Sequence, residues 1–480
     1  MKILLCASEA VPFCKTGGLA DVVGTLAQKL GSMGHDVCVF LPKYRAVAAA
    51  QLEGGVAQPV KVRLAGAEVE VGLRYLHRRS VSWAFVDHAL YFDRDGLYGV
   101  AGRDHEDNDR RFALFSAAVL EGAKVMGFKP DIIHAHDWQT GLVPAYLKKL
   151  YASDPFFADT ATVFTVHNMA YQGNFPRGSL EAAGFGPAEW NPDGVEYYGQ
   201  VSYLKAGLVY ADRLTTVSPT YAREIRASDE RGFGFEGLLD RRSGELDGIL
   251  NGIDVELWDP SRDPALARHY GVEDFAAGKA ACREALQRDC GLERGSRPLV
   301  GVVSRLDYQK GLDLALPLVE SRLDRCQFVI LGTGDPSLTE QFAGLERRHP
   351  GSVHFHRSFD EPFAHRVYAA SDVFLMPSRF EPCGLGQMIA MRYGAVPVAS
   401  RTGGICDTVF EDDAPGRPAT GFLCAPGDGA DLGRALDRAL EARATPRWAA
   451  LARAGMTADF SWDRSTHDYL ETYRRAAGES

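Results

Sequence analysis

The chain has 480 residues, more than one hydrophobic core ordinarily serves, so two or three domains are expected. Its composition, 46% apolar and 24% charged, is that of ordinary globular domains and excludes disorder, collagen-like repeats and a coiled coil. A formal net charge of -10 has the wrong sign for phosphate-backbone affinity, so no nucleic-acid partner is expected and any phosphate ligand must meet local cations.

No apolar run approaches the ~20 residues of a membrane span. MKILLCASEA meets Glu9 too soon for a signal peptide, so a soluble, cytoplasmic protein with no membrane partner is expected. The nine cysteines form no C-x-x-C pair, which points to reduced, mostly buried thiols and not to a disulfide framework or a thiolate zinc site.

In chain order, KILLCAS reads as a strand, VPFCKTGG as a loop, LADVVGTLAQKLGSMG as a helix and HDVCVFLP as a second strand, a βαβ opening. VSWAFVDH, DIIHAHD, TVFTVHN and RLTTVS continue the same grammar. Continuous rather than alternating hydrophobicity predicts strands covered on both faces, as in a parallel sheet. Turn residues crowd LNGIDVELWDPSRDP, so a hinge is expected near Gly248 to Asp254. A second series follows: PLVGVVSRLDYQKG, QFVILGTGD, SVHFHRSF, DVFLMPSRFEPCG and AVPVASRTGG. The final stretch, TADFSWDRSTHDYLETYRRAAGES, has aromatics at helical spacing. The expected architecture is α/β: two doubly wound Rossmann-like domains, 1–247 and 248–456, facing a central cleft at their strand carboxyl ends, and a terminal helix in 457–480 packing back on a domain.

KTGGLADVV, from Lys15, is almost repeated as RTGGICDTV, from Arg401. Two glycines before a helix permit close backbone approach and anion capture by helix amides, with Lys15 placed to meet a phosphate; a simple turn is the competing reading. SRLDYQKG sets Arg305 and Lys310 just past a strand, as a diphosphate site requires, or is a solvated loop. SRFEPCGLGQ delivers Glu381 at a strand end, with Gly384 expected just inside the next helix; the carboxylate either caps a turn or binds sugar hydroxyls. His167 follows another strand; a lone histidine there is more often structural than catalytic. Asp93-Arg94-Asp95 and the HAHD stretch (His134, His136, Asp137) are metal-like strings, but two histidines on one strand face do not complete a site, so no metal and no other cofactor is expected.

Taken together, KTGGLADVVG, HAHDWQTGLVPAYL, FTVHNMAYQG, YADRLTTVSPTYAREI, LNGID, VVSRLDYQKGLDL, PSRFEPCGLGQMIAMRYG, RTGGICDTV and FSWD resemble, in the same order and through most of the chain, the bacterial glycogen synthases and plant starch synthases that use ADP-glucose. The resemblance implies the GT-B fold and a retaining hexosyltransferase that moves glucose from ADP-glucose to the non-reducing end of an α-1,4-glucan such as glycogen. It implies Lys15 and Gly17-Gly18 at the donor phosphates, Arg305 and Lys310 on the diphosphate, and Glu381 with Cys383, Gly384 and Leu385 at the transferred glucose. His167 is implied beside the sugar; Asp137, Asn251 and Thr402-Gly403-Gly404 match ligand-side positions, and Glu9 and Tyr98 match positions near acceptor or glucose.

Four positions depart from the pattern. Gly386 stands where Thr or a larger residue is expected, Asp307-Tyr308 where smaller polar residues are common, and Ile389 where many GT-B enzymes carry a second Glu. A catalytically idle glucan-binding or regulatory homologue, and a related enzyme using UDP-glucose, are the alternatives; the retained Lys15, Arg305, Lys310, His167 and Glu381 weigh against idleness. Oligomeric state is not encoded in any of these motifs.

Overall fold

The computed structural model describes residues 1–479 except 101, 359, 413 and 414, and the backbone alone at 49 and 50. The ends of two expected elements, Phe359 in SVHFHRSF and Ser480 in the terminal segment, therefore lie outside the described residues.

The chain forms two compact units: residues 1–217, 222–249 and 462–480 in the first, and 218–221 with 250–461 in the second. The divisions fall at 249/250 and 461/462, slightly later than the 247/248 and 456/457 read from turn residues. Strand Leu246–Gly248 is the reason at the first division, since it pairs in parallel with Arg213–Thr216 and completes the first unit's sheet. At the second, the Ile253 amide donates to the Phe460 carbonyl at 2.8 Å, which ties 457–461 to the second unit.

The main sheet of the first unit is built from β1 (Lys2–Cys6), β2 (Asp36–Pro42), β3 (Val56–Leu64), β4 (Ala67–Arg78), β5 (Val81–Asp87), β6 (Ile132–His136), β7 (Ala161–Val166), β8 (Arg213–Thr216) and β9 (Leu246–Gly248). Among the described residues they lie in the order β9-β8-β7-β6-β1-β2-β5-β4-β3. Seven run parallel, whereas β3 and β4 form an antiparallel hairpin on β5. The parallel strands β1, β2, β6 and β7 are buried almost throughout, as their unbroken apolar runs predict, while β3 and β4 show interrupted burial. Helix α1 (Gly18–Ser32) turns Leu19, Val22, Val23, Leu26 and Leu30 into the core. At about 1.5–3 kcal/mol for each large apolar side chain fully buried, that face holds the helix far more firmly than propensity does.

In the second unit β10 (Leu299–Val303), β11 (Gln327–Leu331), β12 (Val353–His356), β13 (Val373–Met376), β14 (Val396–Ser400) and β15 (Phe422–Cys424) form an all-parallel sheet in the order β12-β11-β10-β13-β14-β15. Three helices matter for the site: α2 (Leu312–Glu320), α3 (Gly386–Arg392) and α4 (Gly403–Thr408).

Each sheet changes direction once. The chain runs outward from β1 and returns to β6 on β1's other side, and it runs outward from β10 and returns to β13. At such a reversal the adjacent connections leave in opposite directions, opening a crevice at the strand carboxyl ends. Helix α5 (Trp462–Ala476) packs on the first unit, burying Trp462, Tyr469, Leu470 and Tyr473. No helix among the described residues is long and apolar enough to cross a membrane.

Candidate active site

In the second unit the reversal between β10 and β13 carries a cavity of about 190 Å³, lined by Ser304, Arg305, Lys310, Glu381, Gly384 and Leu385 among others. Lys310 Nζ donates to Glu381 Oε2 at 2.6 Å, and the Ser378 hydroxyl donates to the same oxygen at 3.0 Å. Glu381 is only 5% exposed, so both partners compensate a charge that water scarcely reaches. Its Oε1 has no protein partner among the described residues.

Asp307, the departure within SRLDYQKG, has a local explanation. Its carboxylate pairs with the Arg305 guanidinium at 3.1 Å and accepts the Lys310 backbone amide at 3.0 Å, so one acidic side chain engages one cation and fixes the backbone that carries the other, just before α2. Tyr308 is largely exposed, with the Arg379 guanidinium 4.3 Å over its ring.

Gly384 lies two residues before α3, not inside it, and has a left-handed backbone conformation at φ 74°. Cys383 is buried, its thiol pushed up to about 12 by desolvation against a hydrogen bond from the Asn251 amide. The side-chain oxygen of Asn251 is buried without a partner among the described residues. Gly386 and Ile389 both line the cavity, so the first widens it and the second gives it an apolar wall in place of a carboxylate.

The two TGG stretches each begin a helix but are used differently. In RTGG the chain lies directly against the strand end that bears Glu381. A Cβ on Gly403, whose φ is +45°, would sit 1.9 Å from the Glu381 carbonyl oxygen, and one on Gly404 would sit 2.3 Å from that of Cys383. Only glycine permits this approach. Asp407, in the same helix, accepts from the amide and hydroxyl of Thr220 at 2.9 and 2.7 Å.

In KTGG the amides just before α1 are met by the chain's own Glu9. Its carboxylate accepts from the Thr16 amide, from the Thr16 hydroxyl at 3.0 Å, from the Gly17 amide at 3.3 Å and from the Tyr98 hydroxyl at 3.2 Å. Burial pushes this carboxyl above its ordinary range, opposed by those same donors. Lys15 pairs with Asp21 at 2.8 Å on an open surface. The loop read from the sequence as a phosphate site thus has the Thr16 and Gly17 amides met by a glutamate side chain.

Asp137 and His167 follow β6 and β7 in the first unit. Asp137 has a positive φ of 56°, costly for a non-glycine residue, and its Oδ1 accepts the His167 amide at 2.7 Å. Desolvation pushes its carboxyl up to about 7, with Glu9 adding to the rise and the His167 and Asn168 amides opposing it. His136 Nδ1 is 3.1 Å from His167 Nε2. The two histidines of HAHD share a face as strand geometry requires, with ring centroids 4.0 Å apart.

The metal-like strings are engaged otherwise. Asp93 and Asp95 both pair with Arg45, and both nitrogens of His134 have hydrogen-bond partners. Among the described residues no group of three or more His, Cys, Asp or Glu could hold a metal ion. Sequence reasoning passed over Ser8, Thr16, Ser378 and Asp21, which hold Tyr98, Glu9, Glu381 and Lys15. Three of these stand inside the quoted motifs, but their partners depend on how the loop folds.

Two Rossmann-like units with parallel sheets, one carrying a Lys/Arg/Glu cavity at its strand reversal, define a GT-B glycosyltransferase. Residues 2–241 match the model of the starch synthase catalytic domain, and residues 297–442 that of the glycosyl transferases group 1. The chain is 49% identical to the glycogen synthase of Elusimicrobium minutum and 47% identical to that of Syntrophotalea carbinolica, in each case over 99% of both chains. The catalytic domain of starch synthase IV from Arabidopsis thaliana, bound to ADP and acarbose, superimposes with a TM-score of 0.91 at 35% identity over 99% of each chain. Sucrose-phosphate synthase from Thermosynechococcus elongatus shares the fold, with a TM-score of 0.60 at 19% identity over 100% of this chain and 99% of the other. The chain belongs to the glycogen and starch synthase family.

Proposed function

We propose that the chain transfers glucose from ADP-glucose to the non-reducing 4-hydroxyl of an α-1,4-glucan, with the anomeric configuration retained. The observation that carries this reading is the Lys310–Glu381 pair in the cavity at the β10/β13 reversal, with Arg305 beside it. An ammonium has three N–H donors, and Glu381 takes one, leaving two for diphosphate oxygens. Glu381 Oε1 can then accept from a hydroxyl of the transferred glucose. The donor and acceptor classes are supported by the starch synthase relative, whose structure holds ADP and acarbose.

In the transfer the bond from C1 to the phosphate oxygen breaks and a bond from C1 to the acceptor O4 forms on the same face. The acceptor proton passes to the departing diphosphate. As the first bond lengthens, about one negative charge develops on the leaving group, and fixed cations that meet it more strongly then than in the ground state lower the barrier. Lys310 and Arg305 are assigned that work, Glu381 the orientation of the sugar, and His167 and Asp137 a place beside the sugar. Glu381 has no assigned role as a nucleophile: classical retaining catalysis pairs the nucleophile with a second carboxylic acid about 5 Å away, and among the described residues Glu381 is the one carboxylate lining the cavity.

The test is purified protein with ADP-glucose or UDP-glucose and glycogen, following nucleotide release and chain extension. Extension from ADP-glucose is expected. Extension from UDP-glucose alone would overturn the donor, and no extension from either would overturn the enzyme reading.

A further inference from the structure

His136 lies behind His167 and is fully buried. Its Nδ1 is 3.1 Å from His167 Nε2, whereas its own Nε2 is buried with no hydrogen-bond partner among the described residues. Its ring lies against that of His134, centroids 4.0 Å apart and planes tilted by 37°, and His134 is held from both sides: Nδ1 meets the Tyr473 hydroxyl of α5 at 2.8 Å, and Nε2 meets the Thr165 hydroxyl at 2.6 Å. The His136 ring is thus confined by its neighbours.

Burial lowers all three imidazoles, His134 and His167 to about 3 and His136 well below its ordinary value, so each ring is neutral and carries one N–H and one lone pair. One proton must lie between His136 Nδ1 and His167 Nε2, and it can belong to either ring. If it belonged to His167, the remaining proton of His136 would be on Nε2, a buried N–H with nothing to accept it. Orphaned buried N–H groups are rarer than orphaned acceptors. With the proton on His136 Nδ1, only a lone pair is left unpaired at Nε2, and the proton of His167 must then lie on Nδ1.

We infer that His136 is a positioning residue that fixes His167 as the Nδ1–H tautomer, so that His167 offers a hydrogen-bond donor to a sugar oxygen. No described residue takes the Nδ1 of His167. The sugar as recipient rests on the glucosyl-transfer reading above; the tautomer does not. A donor N–H favours a sugar oxygen used as an acceptor, whereas a bare nitrogen would require the sugar hydroxyl to donate.

The experiment is two-bond nitrogen–proton correlation NMR of the full-length protein labelled with ¹⁵N-histidine, together with steady-state kinetics of His136→Asn and His136→Phe. Wild-type His167 is expected as the Nδ1–H form. The Asn variant, whose amide N–H can stand where the imidazole N–H stood, is expected to keep that form and most of the activity. The Phe variant is expected to lose the tautomer preference and about tenfold in kcat, the rate equivalent of one hydrogen bond, with donor KM little changed. Wild-type His167 found as Nε2–H overturns the inference and needs no variant that folds. Equal loss in both variants with the His167 tautomer unchanged overturns it as well. A wild-type protein with Nδ1–H His167 but no glucosyl transfer supports the tautomer assignment and defeats the transfer reading.

Discussion

Removing Lys310 separates the two jobs assigned to it. At 2.6 Å and an effective dielectric of 20, the Lys310–Glu381 attraction is about 6 kcal/mol before desolvation is subtracted. Lys310→Ala leaves a carboxylate that is 5% exposed with one remaining hydroxyl partner, Ser378. An uncompensated buried charge costs about 3–5 kcal/mol, and the adjoining cavity of about 190 Å³ can admit water, so the lower end, about 3 kcal/mol, is expected. For a unit of roughly 150–250 residues that lowers Tm by about 6–12 °C. Lys310→Ala combined with Glu381→Gln removes the stranded charge and should recover most of the loss. Neither change should restore turnover, which falls on the order of 10²-fold if Lys310 acts as an oxyanion-stabilising donor does. Thermal or urea unfolding and steady-state kinetics on the two variants measure both effects. Equal unfolding midpoints for the single and double variants would refute the stranded-charge argument, and unchanged kcat with a raised donor KM would refute transition-state stabilisation.

Arg305→Ala should also lower kcat by on the order of 10²-fold but cost little stability, because the side chain is 53% exposed; a matching fall in Tm would contradict this. Gly403→Ala should destabilise strongly and abolish transfer, since its Cβ would meet the Glu381 carbonyl at 1.9 Å, whereas Gly17→Ala, with 3.9 Å to the nearest Glu9 oxygen, should remain folded; equal unfolding curves would show that the two TGG loops are not packed as described. Asp137, raised to about 7 from 3.8, binds a proton more tightly folded than unfolded, so its contribution to stability falls as pH rises between those values. Asp137→Asn removes that slope, which is at most about 1.4 kcal/mol per pH unit, so the variant should gain on wild type from pH 4 to pH 7 in urea midpoints; parallel profiles would count against the shift.

The sequence by itself determined the fold class, most of the parallel strands and the site motifs. Unbroken apolar runs such as KILLC and QFVIL are what strands buried on both faces require, and charged loops at their carboxyl ends mark where open parallel sheets bind ligands. The hairpin of β3 and β4 was legible as well, in the alternation of VKVRL and the Ala65-Gly66 turn, but a search for continuous runs passes over it.

Tertiary structure alone decided the partners. KTGG and RTGG are nearly the same string, yet one seats Glu9 against its amides and the other lies against the Glu381 backbone. His136 reads as a weak metal ligand in HAHD and becomes the hydrogen-bond partner of a histidine 31 positions away. Lys310 reads as a cation for phosphate and also compensates a carboxylate 71 positions on. Local pattern reflects burial and backbone geometry, which each residue and its near neighbours determine. Pairing across strand ends depends on register and crossover order, which short motifs do not carry.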